Sequence, residues 1–122
     1  MTIRKSAEDY LEAILRLRAR KGYARSVDIA SALCVSGPSV SVAMQKLKNN
    51  GCIEMDASGF ITLTDEGMAI ASRIYERHRV LKELLMSIGV DEATAEADAC
   101  RVEHDLSEET FDAIRRTVEE KK

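Results

Sequence analysis

Cys100, Glu103 and His104 fall within the stretch DACRVEH. Spacings of three and four put such side chains on one face of a helix. That face would carry a thiolate, a carboxylate and an imidazole, the commonest metal-ligating groups. Asp9 and Glu12 repeat the i, i+3 spacing in the run SAEDYLEAILRL, and His78 is one of only two histidines in the chain. If the helices bearing these residues converge on one point, six potential ligands meet there. Taken singly, each has a plainer role. A lone Cys100 is a small apolar residue, and a lone His104 is structural. Asp9 and Glu12 would simply complement a helix N-terminus. Spacing alone therefore leaves both a metal centre and a set of solvated charged faces open.

These residues need helices to position them, and the sequence supplies a mostly helical pattern. Leu11, Ile14 and Leu15 recur at helical spacing in a first helix over about residues 7–20, with Ser6 as its cap and Gly22 as its stop. Ser26 is expected to cap a short helix, VDIASAL. The turn Cys34-Val35-Ser36-Gly37 follows, and Pro38 suits the first turn of the next helix, PSVSVAMQKLKNN, which Gly51 stops. Two short β-like runs, CIEM and FITL, flank the turn DASG. Thr64 caps a long helix closed by Gly89. Asp91 caps the ligand-bearing helix, which should end near Asp105. Ser107 caps the last one. Cys34 and Cys52 read as small buried apolar residues.

Composition bounds the partners. The chain has 122 residues, enough for one small domain or two compact halves, and its core must be aliphatic because aromatics make up 4%. Residues 1–60 carry nine Lys/Arg against six Asp/Glu, a balance of +3. Residues 61–122 carry nine against fifteen, a balance of -6. A basic front half suits a polyanion, and an acidic back half suits cations. No apolar run approaches the roughly 20 residues that cross a bilayer, so no membrane association is expected, and no signal peptide is visible. The three scattered cysteines argue against a disulfide framework and for a reducing, cytoplasmic setting.

Two short helices, a tight turn and a hairpin make a winged helix-turn-helix. Its second helix is slim enough to enter the major groove of double-stranded DNA. That helix opens with small polar residues, Ser36, Ser39 and Ser41, around Pro38. Val42 lies one step further along. Val40, Met44 and Leu47 can pack it to the core together with Ala30 and Leu33. Lys46, Lys48 and Arg25 are candidate phosphate contacts. The wing tip around Ser58 is short and uncharged, so little base reading is expected there. Ordinary helix packing, with solvated lysines, would give the same local pattern.

The runs SAEDYLEAIL, DIASALCVSGPSVSVAMQKL, ITLTDEG, RHRVLKELLMSIGV and DACRVEHDLSEET extend nearly from end to end. Together they resemble the diphtheria-toxin-repressor family of metal-dependent transcription regulators, and especially its short manganese-transport-regulator branch. The resemblance implies a winged helix-turn-helix DNA-binding domain over residues 1–64 and a helical metal-binding and dimerisation domain over residues 65–122. It also implies a homodimer that binds a palindromic operator as a repressor when loaded with Mn(II) or Fe(II), one or two ions per subunit. Asp9, Glu12, His78 and Glu103 resemble the first metal centre of the manganese branch. Cys100, Glu103 and His104 resemble the second, with Glu103 bridging.

Two departures from the family pattern stand out. The manganese branch has a glutamate where Cys100 stands, whereas the iron branch has a cysteine there but a methionine in place of Asp9. Oxygen ligands suit Mn(II), and a thiolate tilts toward a softer ion such as Fe(II). The iron branch also has a glutamine at the position of Val42, which can touch a thymine methyl but cannot hydrogen-bond a base. The implied mechanism is that shared ligation by both halves fixes the spacing of two recognition helices near one DNA turn, roughly 34–36 Å. An enzyme is not expected. There is no HExxH motif, and every plausible base is already a ligand. The rival readings are a metal-independent winged-helix regulator and a small metalloenzyme.

Overall fold

A computed structural model describes residues 5–120. Helix α1, Lys5–Lys21, takes up the first amphipathic run and buries Leu11, Ile14 and Leu17 on one face. Ser6 lies inside this helix rather than capping it. The Gly22 amide closes it on the Arg18 carbonyl at 2.9 Å. Helix α2, Ser26–Leu33, starts one residue earlier than the sequence suggested. Arg25 is its cap position, and the Asp28 carboxylate accepts the Arg25 amide at 3.1 Å. The Asp28 carboxylate thus reaches back from inside the helix to the cap amide, and Ser26 is itself helical.

The turn into α3, Gly37–Asn49, passes through Cys34 in the left-handed region at φ 55°. Cys34 is exposed, so the expectation of a buried residue there is corrected; Cys52 is buried. Ser36 caps α3 by accepting the Ser39 amide at 3.2 Å, with Pro38 in the first turn. Strands β1, Ile53–Met55, and β2, Ile61–Leu63, pair antiparallel with Ile53 opposite Leu63 and Met55 opposite Ile61. Asp56 shapes the wing turn by accepting the Ser58 and Phe60 amides, each at 2.9 Å. Gly59 completes that turn at φ +87°, a region that suits glycine.

Ile61 ties the wing to the helices: its amide donates to the Ala24 carbonyl at 2.8 Å and its carbonyl accepts Arg18 Nη1 at 3.2 Å. Leu11, Ile14, Ile29, Val40, Met44, Leu47, Ile53 and Ile61 form one aliphatic core. Each such side chain contributes about 1.5–3 kcal/mol when fully buried. The fold is thus a winged helix-turn-helix built on α1–α3 and a two-stranded wing, within a mostly helical chain.

Helix α4, Asp65–Ser87, begins at a tight junction. Thr64 Oγ1 accepts the Gly67 amide at 3.2 Å and donates to the Gly51 carbonyl at 2.6 Å. A Cβ at Gly67 would collide with the Cys52 carbonyl oxygen. By compactness the chain divides into two units, residues 1–72 and 73–122. The second unit holds the rest of α4 with α5, Glu92–Val102, and α6, Glu108–Glu120. Asp91 caps α5 through the Thr94 amide at 2.9 Å, and Ser107 caps α6 through the Thr110 amide at 3.1 Å. Among the described residues no single helix is long and apolar enough to cross a membrane.

Candidate metal centre and nucleic-acid interface

His78 projects from α4 and Cys100 from α5, and Glu103 occupies the position that ends α5. Helix α5 therefore stops at Val102, earlier than the expected Asp105. Glu103 keeps helical angles, φ -57° and ψ -26°, and its amide still donates to the Ala99 carbonyl at 3.0 Å. The i, i+3 relation of Cys100 and Glu103 thus survives the helix end. His104 lies in the following turn, which tightens where the Asp105 amide takes the Val102 carbonyl at 3.0 Å. Arg77 explains the break. Its Nη1 donates to the carbonyls of Glu103, at 3.1 Å, and Leu106, at 2.8 Å, while Nη2 meets Glu108 at 2.7 Å. A buried guanidinium with five donors satisfies carbonyls that a continuing helix would otherwise have used.

The resulting side-chain cluster is compact. His78 Nδ1 stands 2.9 Å from Glu103 Oε2 and 3.7 Å from Cys100 Sγ. One ligand atom each from His78, Cys100 and Glu103 all lie within 4.8 Å of one another. The His104 Nε2 is 3.4 Å from Glu103 Oε1. His78 is 3% exposed and Glu103 0%. Withdrawing a carboxylate from water costs several kcal/mol unless positive charge and hydrogen bonds meet it. The imidazole supplies that here. Its pKa is pushed up to about 11 by the Cys100 contact and then by Glu103, against the opposing effect of burial, with Glu96 adding to it. On the ring's other edge, Nε2 lies 3.0 Å from Glu96 Oε2. Burial works against the Glu96 carboxylate, but His78 and Lys82 outweigh it and hold its pKa down to about 2. An imidazole nitrogen, a sulfur and a carboxylate oxygen around one buried point fit a divalent transition ion, with a proton on His78 holding the place of the positive charge.

Asp9 and Glu12 belong to the first unit, one turn apart on α1. Glu12 is buried and Asp9 half-buried, and Arg16 Nη1 lies 3.9 Å from Glu12 Oε2.

The same unit displays α3. Val40, Met44 and Leu47 turn inward, as their spacing implied. Pro38, Ser39, Ser41, Lys46 and Lys48 are exposed, and Val42 is 56% exposed. Ser36 Oγ also donates to Ser39 Oγ at 2.8 Å, so these two hydroxyls are partly committed to the cap. Gln45, not singled out from the sequence, shares the exposed face and donates to Asn49 Oδ1 at 3.0 Å. Arg25 reaches the wing instead of standing alone. Its Nη2 donates to the Ser58 carbonyl at 3.1 Å, and its guanidinium lies 5.3 Å from the Phe60 ring centre.

Comparison with known proteins decides what this pairing of a helix-turn-helix with a ligand pocket means. The model of the iron-dependent repressor N-terminal DNA-binding domain matches residues 2–58. That of the iron-dependent repressor metal-binding and dimerisation domain matches residues 64–122. The HTH-type transcriptional regulator MntR of Lysinibacillus sphaericus is 40% identical over 114 residues, 93% of this chain and 82% of that protein. The chain belongs to the iron-dependent repressor family. The transcriptional regulator MntR of Escherichia coli O6:H1 is also 40% identical, over 92% of this chain and 72% of that protein. Among solved structures, T. acidophilum IdeR superposes with a TM-score of 0.83 at 30% identity, covering 96% of this chain and 55% of its own. The manganese regulator SloR gives 0.82 at 28% identity, covering 98% of this chain and 55% of its own. This chain therefore spans about half the length of those two solved chains.

Members of this family are metal-dependent, DNA-binding transcription regulators, and this chain is one, with a divalent metal as its cofactor. Within its pocket, sequence reasoning passed over Arg77, Lys82 and Glu96. Lys82 Nζ lies 3.1 Å from Glu96 Oε2 and 3.4 Å from Glu92 Oε1. A signal for two of them existed. Glu96 stands four residues before Cys100, and Lys82 four after His78, each on the ligand's own helix face. Arg77 gave none, because two of its three acceptors are main-chain carbonyls that carry no residue identity.

Proposed function

We propose that this chain is a cytoplasmic, homodimeric repressor that binds a palindromic operator in double-stranded DNA when loaded with Mn(II) or Fe(II), and that it controls metal-homeostasis genes. The observation that carries this reading is the convergence of buried His78 and Glu103 with half-buried Cys100 in the part of the chain matched by a metal-binding domain. Asp9, Glu12, His78 and Glu103 are the proposed ligands of one ion, and Cys100, Glu103 and His104 those of a second, with Glu103 serving both. A bound divalent ion would supply the positive charge that this set of acidic groups requires. On the DNA side, Ser36, Pro38, Ser39, Ser41 and Val42 are proposed to face the major groove, and Arg25, Lys46 and Lys48 the phosphates.

Cys100 sets the preference between the two ions in this reading. A thiolate is softer than the carboxylate that would otherwise stand there, so it favours Fe(II) over Mn(II). The test is an anaerobic fluorescence-anisotropy titration of operator-sized DNA in Fe(II), Mn(II) or chelator. Binding should appear with metal and vanish in chelator. Glu103→Gln, which keeps the side chain's size, should remove metal stimulation. Cys100→Glu should retain it and shift the preference toward Mn(II). Equal binding in metal and chelator would point to a metal-independent regulator. Metal-stimulated binding by Glu103→Gln at parental strength would remove Glu103 from the ligand set.

A further inference from the structure

We propose that Glu96 is the positioning residue of the metal centre, holding His78 with Nδ1 turned toward Cys100 and Glu103 while Lys82 keeps the Nε2 side closed to a second cation. This rests on reading His78, Cys100 and Glu103 as ligands.

The imidazole has two distinct edges. Nδ1 faces Glu103 Oε2 at 2.9 Å and Cys100 Sγ at 3.7 Å, while Nε2 faces Glu96 Oε2 at 3.0 Å. A ring nitrogen that holds an ion presents its lone pair, so the other nitrogen must carry the hydrogen. A carboxylate at that second nitrogen fixes both the tautomer and the ring's orientation. Glu96 stands one turn before Cys100 on α5, so a single helix face supplies a group to each edge of the ring. Both edges of the imidazole therefore face a carboxylate.

The alternative role for Glu96 is as a ligand itself, sharing an ion with Nε2. The position of Lys82 argues against it. Its ammonium lies 3.1 Å from the same Oε2 that faces His78 and 3.4 Å from Glu92 Oε1. A cation already serves Glu96, the carboxylate that faces that edge. A divalent ion there would meet like charge at close range. Lys82 also helps to hold Glu96 in place on a partly open surface.

The test uses the full chain with 15N-labelled histidine and Zn(II) as a diamagnetic probe. His78 and His104 are the only two histidines, so assignment is direct. Long-range 1H–15N spectra report which ring nitrogen is protonated and which is bound. Zn(II) should bind His78 through Nδ1, with hydrogen on Nε2. Glu96→Ala should weaken Zn(II) binding about 10- to 100-fold against a chromophoric chelator, and should lose the single tautomer without changing the number of ions bound. Glu96→Gln, which keeps an acceptor oxygen beside Nε2, should keep the tautomer and most of the affinity. Zn(II) on Nε2, or one ion fewer per chain in Glu96→Ala, would make Glu96 a ligand and overturn the proposal. Parental affinity and tautomer in Glu96→Ala would also overturn it. Failure of His78 in the parent to respond to Zn(II) at all would instead remove the ligand reading on which the proposal stands.

Discussion

The two units of this chain are built on opposite principles. In the first, the centre is aliphatic. Leu11, Ile14, Ile29, Val40, Met44, Ile53 and Ile61 are buried together, and α3 sends its lysines outward. In the second, three ionisable side chains are among the most buried groups: Arg77, His78 and Glu103. The first unit is held mainly by the non-directional removal of apolar area from water, with Glu8 and Glu12 of α1 as its buried ionisable groups. The second is held by charges that must be matched one to one, because an unmatched buried charge costs more than its pair gains. A reader of DNA can be stable in itself, whereas a sensor must have a state that depends on what is bound. The contrast predicts that the second unit is the fragile, conditional one.

Arg77 gives the largest expected effect. Its guanidinium bonds two main-chain carbonyls and Glu108, and it lies 5.2 Å from the Phe111 ring centre. Arg77→Met keeps much of the packing but strands those acceptors. Leaving a buried acceptor without its donor typically costs about 1–3 kcal/mol, and two are stranded here, which should appear as a clear drop in the denaturation midpoint. The helix-turn-helix should outlast the rest, so backbone amides of α1–α3 should keep their hydrogen-exchange protection when those of α5 and α6 have lost it. Simultaneous loss across the chain would show that the two units do not differ in this way.

The pH response sharpens the same contrast. The His78 pKa is raised by Cys100, Glu103 and Glu96, from 6.5 to about 11. A group raised on folding stabilises fully below its unfolded value and loses that contribution as pH rises through the folded one. In chelator, the second unit should therefore weaken between about pH 6.5 and pH 11. Metal affinity should move the other way, because a proton must leave His78 before it can ligate. It should rise roughly tenfold per pH unit for one proton displaced. Denaturation in chelator and competition titrations at pH 6, 7 and 8 check the two signs. Affinity that is flat with pH would mean that His78 is not displaced from its proton by the ion.

The contrast also explains what the sequence revealed. Apolar periodicity is a repeated signal, so α1, α3 and α4 were legible, as were the caps at Thr64, Asp91 and Ser107. Matched charge is not periodic. The pocket's ligands could be named because Cys100 and Glu103 stand three apart, yet Arg77 acts across 26 and 29 residues on main-chain oxygens. The early end of α5 went unseen for the same reason, since its cause is that distant guanidinium. Ser26 was misassigned because the helix begins one residue earlier, with Arg25 at the cap position and its amide held by Asp28.

In the first unit, Lys46 offers a smaller effect that should leave the fold untouched. It is exposed in the last turn of α3. Lys46→Ala should weaken binding to all DNA sequences alike and lower the salt slope by about one. Its melting temperature should stay parental in chelator and in metal. An unchanged slope would place Lys46 away from the phosphates.

The smallest effect compares one cap from each unit. Ser36 accepts the Ser39 amide at 3.2 Å, and Asp91 accepts the Thr94 amide at 2.9 Å, so the two perform the same local task. Ser36→Ala should cost about 1 kcal/mol, and that cost should not vary with pH because a hydroxyl stays neutral. Asp91 differs. Its backbone bond from Thr94, helped by the Thr94 hydroxyl, lowers its pKa below 3.8. A group depressed on folding stabilises above its unfolded value and loses that contribution as pH falls through the folded one. The difference in melting temperature between the parent and Asp91→Ala should therefore hold at pH 6 and shrink below about pH 4. Asp91→Asn keeps an acceptor but no charge, so its difference from Asp91→Ala should not track pH. If both Asp91 variants differ from the parent by the same amount at every pH, the cap is acting by geometry alone. Charge matching would then be a property of the buried centre of the second unit and not of its surface.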